Sequence, residues 1–213
     1  MRELPILFNT EMVRAILDDR KTCTRRVVKY DKADDVLNSP AKKENPDIPD
    51  KQFIKCLVKM PYEVGDILYV RETWHKYTKR VGNGESCHLA EFYGYKASIA
   101  NSEDANEPWK PSIHMPKEAA RIWLKVTDVR VERLQEITDK ECIKEGIYPS
   151  NCRNCNATFG CDVCLDEGYD EVDEFVEVWD NTIKKSDFDR YGWDANPLVW
   201  VIEFERCEKP GKE

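Results

Sequence analysis

The chain has 213 residues, 41% of them hydrophobic, enough for one full domain with insertions and a real core. No apolar run approaches the eighteen or so residues of a membrane span, which excludes a helical membrane protein. The formal net charge of −8 reads at first against nucleic acid, but nine acids (Asp162, Asp166, Glu167, Asp170, Glu171, Asp173, Glu174, Glu177 and Asp180) crowd one stretch without Lys or Arg, so the remainder is near neutral with local basic clusters.

Met1-Arg2-Glu3-Leu4-Pro5 leads directly into a strand-like segment, Pro5 to Phe8, without the apolar stretch of a signal peptide, so the protein is expected in the cytoplasm. A helix is predicted at Thr10 to Asp19, with Thr10 as N-cap, Glu11 in the first turn, and Met12, Val13, Ile16 and Leu17 on one face. Asp18-Asp19-Arg20-Lys21-Thr22-Cys23-Thr24-Arg25-Arg26 follows, packing four cations around two threonine hydroxyls. Basic residues also suit a helix C-terminus, but this density points to an anion site or to catalysis. Cys23 among these cations is a candidate nucleophile, because neighbouring positive charge favours a thiolate.

A strand is predicted at Arg26 to Lys29. From Asp31 to Gln52 the composition turns to Asp, Lys, Asn and Pro, with a turn signal at Leu37-Asn38-Ser39-Pro40, and a polar loop is expected. Further strands are predicted at Asp66 to Arg71, His88 to Tyr95 and Arg121 to Val131, each β-branched or aromatic and mostly alternating. The helix from Thr138 to Glu145 opens on a capping-box pattern, Thr138 with Glu141, and Gly146 supplies its C-cap.

Cys152-Arg153-Asn154-Cys155 and Cys161-Asp162-Val163-Cys164 are two C-x2-C pairs five residues apart. Four such thiolates suit a structural tetrahedral zinc site stapling an insertion at 150–168, and the short spacer leaves a redox pair or inert thiols as alternatives. Nine cysteines, an odd number, accord with reduced thiols. The other cysteines and the three histidines, His75, His88 and His114, show no ligand spacing. A helix at Asp170 to Ile183 carries an apolar stripe of Val172, Phe175, Val176 and Trp179, and a last strand is predicted at Leu198 to Glu205. Six strands with few helices and no repeat predict an α+β domain built on a small curled sheet or barrel.

The sequence resembles the ASCH domains of the PUA-like superfamily, most of all their phage and prophage members. The resemblance rests on Pro5-Ile6-Leu7-Phe8, Met12-Val13-Arg14-Ala15-Ile16-Leu17, Arg20-Lys21-Thr22-Cys23-Thr24-Arg25-Arg26, the run Gly65-Asp66-Ile67-Leu68-Tyr69-Val70-Arg71-Glu72-Thr73-Trp74, the segment Trp109 to Arg121, and Asn196 to Phe204. Asp19 stands where the family usually has Gly before Arg-Lys-Thr. What the resemblance implies is one domain over residues 1–213, a small β-barrel flanked by helices, with the loop and the cysteine insertion as excursions, and a cleft for RNA or a modified nucleoside.

Some small members of the family remove the acetyl group from N4-acetylcytidine with a Lys, a Thr and a Glu, and the matching positions here are Lys21, Thr24 and Glu145. In that scheme Thr24 Oγ1 attacks the amide carbonyl, Lys21 takes its proton, and Glu145 orients Lys21 or passes a proton to the leaving amine. Residues three apart on a regular strand face opposite sides, so the scheme requires a turn over residues 21–24. In the binding reading Arg20, Lys21, Arg25, Arg26 and Arg71 meet phosphates or base edges beside Glu72, and Trp74 and Trp109 offer stacking faces. Trp74 and Trp109 are equally suited to core packing, and Glu72 to pairing with a basic residue across the sheet. A third reading, a phage assembly or host-interaction protein, requires the stripe on the acidic helix to be exposed.

Overall fold

The computed structural model describes residues 2–83, 86–98, 108–147 and 171–211. Along the chain run β1 (Glu3–Leu7), α1 (Thr10–Leu17), β2 (Cys23–Val27), α2 (Tyr30–Leu37), α3 (Pro40–Glu44), α4 (Asp50–Leu57), β3 (Ile67–Arg71), β4 (Trp74–Val81) and β5 (His88–Tyr95). After them come β6 (Trp123–Arg133), α5 (Asp139–Lys144), α6 (Glu171–Thr182), α7 (Phe188–Tyr191) and β7 (Leu198–Cys207). The fold is mixed α+β, and the chain divides into two compact units, residues 1–19, 65–125 and 205–213 in the first and 20–64 and 126–204 in the second. No helix among the described residues is long and apolar enough to cross a membrane.

In the first unit β1 runs parallel to β3, from Glu3 opposite Ile67 to Leu7 opposite Arg71, and β3 pairs antiparallel with the start of β6. Their shared core is Ile67, Trp74, Met115, Ala119, Ala120 and Trp123. Helix α1 is capped by Asn9, whose side-chain oxygen accepts the Met12 N–H at 2.8 Å, rather than by Thr10. It buries Val13, Ala15 and Ile16, the face its periodicity marks. Asp19 takes the left-handed conformation at φ 57, so the turn associated with glycine is kept by one of the few other residue types that tolerate it.

Strand β4 was absent from the predicted elements: its Trp-His-Lys-Tyr start alternates, but Lys79 and Arg80 make its far end read as loop. It pairs with β5 from Trp74 opposite Tyr95 to Val81 opposite His88. His75 stands opposite Gly94, and a Cβ on residue 94 would lie 1.9 Å from His75 Nε2. The ring lies against bare backbone, a position that requires glycine.

In the second unit β2 pairs antiparallel with β7, Cys23 opposite Glu203 and Val27 opposite Val199. The strand therefore starts three residues before the predicted Arg26, because β7 offers it partners that far. Cys23, Leu134, Ile137, Cys142, Ile147, Phe175, Trp179, Val199 and Val201 form the core of this unit. The capping box of α5 forms as predicted, with the Glu141 carboxylate accepting the Thr138 N–H at 3.1 Å, and Gly146 follows at φ 87.

Two expectations are corrected. The stretch 31–52, read as a loop, holds α2, α3 and the start of α4: Ser39 caps α3 through its hydroxyl with Pro40 in the first turn, and α4 buries Phe53 and Ile54. Its polar composition reflects short helices with one thin apolar side. The expected barrel is not closed by any strand pairing among the described residues, since β1 pairs with β3 alone, β2 with β7 alone, and β4 and β5 with each other. The stripe on α6 packs inward, with Phe175 and Trp179 buried and Trp179 Nε1 donating to the Tyr191 carbonyl at 2.8 Å.

Gly94→Ala is expected to cost about 1–3 kcal/mol in urea unfolding, the usual range for forced overpacking. In the Gly94→Ala/His75→Ala double variant the two losses add to less than their sum, because the clash disappears with the ring. An unchanged urea midpoint for Gly94→Ala would contradict the packing described.

Candidate functional site

The backbone of the second unit carries Lys21 to its partner. Thr22 N–H donates to the Lys144 carbonyl at 2.8 Å, Phe204 N–H donates to the Thr22 carbonyl at 2.9 Å, and Lys21 forms an antiparallel bridge with Glu145. The capping box starts α5 and Gly146, at φ 87, follows its end, where Glu145 is the C-cap residue. Two residues 124 positions apart thus become neighbours through α5 docking beside β2.

Lys21 Nζ donates to the Glu145 carboxylate at 2.6 Å and to the Glu145 carbonyl at 2.8 Å, with the lysine side chain fully buried. Arg25 Nη1 reaches the other carboxylate oxygen of Glu145 at 3.2 Å, while its Nη2 lies 3.2 Å from both Glu132 and Glu141. Arg25 Nε is buried with no hydrogen-bond partner among the described residues. Behind this, Arg130 bonds Asp128, Glu132, Glu141 and Glu203. Burial alone would lower the Arg130 pKa, but the bonds to Glu132, Glu203 and Asp128 outweigh it and raise it.

Strand alternation sorts the remaining residues. Cys23, Arg25 and Val27 share one face of β2, and Thr24 and Arg26 lie on the other. No turn spans residues 21–24, so the structure unites Lys21 with Glu145 and sets Thr24, itself buried, on the face opposite Arg25. Burial holds the Arg26 guanidinium below its ordinary pKa against the pull of Tyr62 and Glu145. Burial likewise raises the Tyr62 phenol, against Arg26. Arg20 is exposed and donates from Nη1 to the Gly146 carbonyl at 2.9 Å.

The thiol of Cys23 is pushed up to about 12, first by burial and then by the Glu145 carboxylate, with Arg25 and Lys21 opposing. The cations read from sequence as thiolate-promoting are present, but burial in the apolar core dominates. Glu132, Arg130 and Glu203 are not singled out by the sequence, and Glu141 is marked there only as a capping residue. The available signal was the alternation of Asp128, Arg130 and Glu132 along β6, which places three charges on one strand face.

Arg71, Glu72, Trp74 and Trp109 belong to the first unit. Arg71 donates to the Met115 and Ile113 carbonyls at 2.7 and 2.5 Å, and Glu72, buried, receives a two-pronged contact from Arg121 at 2.8 and 2.9 Å. Trp74 is a core residue beside Tyr93, with Lys110 Nζ 5.2 Å from its ring centre, and Trp109 packs 4.6 Å from His75. Cys152, Cys155, Cys161 and Cys164, the candidate zinc ligands, lie outside the described residues.

No family model matches the sequence, and no curated protein matches it. Among solved structures the chain is similar to an ASCH domain from Lactobacillus crispatus JV V101, at 10% sequence identity and a TM-score of 0.37, over 96% of this chain and 79% of that one. A likeness of that depth carries no argument.

Two measurements check the electrostatics. With a raised pKa, Cys23 is expected to stay unlabelled by iodoacetamide at pH 8 in the folded protein while the exposed Cys56 and Cys87 react; rapid labelling of Cys23 without unfolding would contradict its burial. Glu141 is held below its ordinary value of 4.5: burial would raise it, but the Thr138 amide, Arg25 and Arg130 prevail. A depressed carboxylate contributes stability that is fully present above its unfolded value and lost as pH falls through its folded one. Unfolding stability therefore drops below about pH 4.5, and Glu141→Gln is expected to make that drop shallower in urea titrations at successive pH values.

Proposed function

We propose that this protein binds RNA or a modified nucleoside at the Lys21–Glu145–Arg25 cluster, in the manner the resemblance to ASCH domains implies. One observation carries the reading: Lys21 and Glu145, matched to a shared site from sequence alone, are buried against each other at 2.6 Å. A buried ion pair adds little net stability over apolar residues of similar size, so fold stability is a weak account of it. Arg25 completes the site, spending both terminal nitrogens on carboxylates and keeping Nε as a donor without a partner among the described residues. A carboxylate and a guanidinium held together are the groups that read an amide or a base edge. Arg20, exposed nearby in sequence, suits a phosphate.

Hydrolysis of N4-acetylcytidine is the second reading, and the Lys21–Glu145 contact favours it. The placement of Thr24 across β2 from Arg25 weighs against a direct Lys21-to-Thr24 proton transfer, and for this reason binding stands first. The assembly reading loses its surface, because Phe175 and Trp179 are occupied within their own unit.

Calorimetric titration with N4-acetylcytidine and cytidine, with chromatography of the same mixtures, tests the proposal. Saturable binding is expected, weakened about tenfold or more in Lys21→Ala and in Glu145→Gln, the usual loss for one hydrogen bond to a charged group, with each variant checked as folded by circular dichroism. Conversion by the wild type alone would establish the hydrolase; absence of binding to either nucleoside and to RNA oligonucleotides at low salt would overturn both.

A further inference from the structure

The β4–β5 hairpin of the first unit carries a continuous strip of rings on one face, and neither the Lys21 cluster nor the core uses it. In the register of the pair, residues directly opposite share a face, which places His75 with Gly94, Tyr77 with Phe92, Lys79 with Ala90, and Val81 with His88 on the same side. Trp109 joins them: Trp74 and Lys110 exchange backbone hydrogen bonds at 3.2 and 2.7 Å, so the segment at 109–110 lies along β4 and Trp109 falls in line with His75. Ring centres follow one another from Trp109 to His75 at 4.6 Å, His75 to Tyr77 at 5.4 Å and Tyr77 to Phe92 at 5.7 Å, the last pair stacked at 27°.

The opposite face differs in kind. Its inner half, Trp74, Tyr93 and Tyr95, packs on the first unit's core. Its outer half has Lys76 paired with Glu91 at 2.7 Å. On the ring face the positions beyond Phe92 are Lys79, Ala90, Val81 and His88, and none of the paired positions of that face is acidic. Phe92 is 37% exposed, Tyr77 half-buried, and Lys79 and His88 exposed, while Lys79 makes no ion pair among the described residues. From His75 through Tyr77 to Phe92 the rings pass from buried to open, and Lys79 stands beyond them.

We propose that this face of the hairpin is a stacking platform for single-stranded nucleic acid, with bases on the Tyr77–Phe92 pair and the phosphate backbone drawn to Lys79. An apolar peptide would be served by the rings alone. Lys79, with no acid at the paired positions of its face, favours a polyanion with flat faces, because base–aromatic stacking tolerates any base and phosphate contacts supply the electrostatic part. The platform does not depend on the reading of the Lys21 cluster. Two rows of the strip span ~7 Å along the strands, room for about two bases.

Fluorescence polarisation with labelled oligo-U and oligo-dT strands of about twelve nucleotides, and with a duplex of equal length, tests it. Both single strands are expected to bind and the duplex to bind more weakly. Phe92→Leu, which keeps apolar volume but removes the π-face, is expected to lose roughly tenfold in affinity, and Phe92→Tyr to retain it. Lys79→Glu is expected to weaken binding and flatten its salt dependence. Circular dichroism checks that each variant is folded. No binding of either strand, or equal affinity of Phe92→Leu and the wild type, overturns the proposal. Strand binding lost in Lys21→Ala but intact in Phe92→Leu also overturns it and moves the RNA to the other cluster; strand binding intact in Lys21→Ala supports it even where nucleosides fail to bind there.

Discussion

A carboxylate taken out of water has to be met on both oxygens, and Glu145 is met by Lys21 on one and Arg25 on the other. Much of the second unit is arranged around that demand. Arg25 brings a further charge into the interior and needs Glu132 and Glu141, and these in turn hold Arg130, which also draws in Glu203. Each added group satisfies a bond left by the one before, so the network is closed on β2, β6, β7 and α5 rather than on one element. Such a network has high stakes in a low-dielectric interior, where any member removed leaves its partner's desolvation uncompensated.

The first unit solves a similar problem by simpler means. Glu72 is buried and is satisfied by a single guanidinium, Arg121, whose remaining Nη1 goes to Ser98 and whose plane lies 4.1 Å from the Tyr95 ring centre. That arrangement engages all three guanidinium nitrogens of Arg121. Arg71 spends its donors on backbone carbonyls. These are properties of packing and turn fixation, and they contrast with the buried Arg25 Nε.

Much of the fold was legible in sequence where local chemistry and tertiary context agree. The capping box of Thr138 and Glu141, the glycine at 146, and Val13 and Ile16 of α1 with Phe175 and Trp179 of α6 all fall where the local pattern places them, because each is decided by neighbours three or four residues away. The misses share a different cause. Cys23–Val27 is a strand because β7 lies beside it, β4 because β5 does, and neither partner is visible locally. The helices within 31–52 depend on two buried side chains, Phe53 and Ile54, against a polar background that composition averages away. At the site, the residue types of Lys21, Arg25 and Glu145 were legible, but the commitment of Arg25 to three carboxylates was not, since its partners come from β6 and α5.

Charge bookkeeping then separates two kinds of recognition. The network around Lys21 sets three cations, Lys21, Arg25 and Arg130, against five carboxylates, so it cannot gather a polyanion from a distance. Whatever it selects must be selected at contact, through an oriented acceptor and donor, which suits a small group such as a modified base edge better than a run of phosphates. Attraction of a nucleic acid chain has to come from cations without carboxylate partners. Lys79, at the end of an aromatic strip with no acid at its paired positions, meets that condition. Weak, salt-sensitive capture and short-range chemical selection would thus be carried by different residues, and each can be removed without disturbing the other.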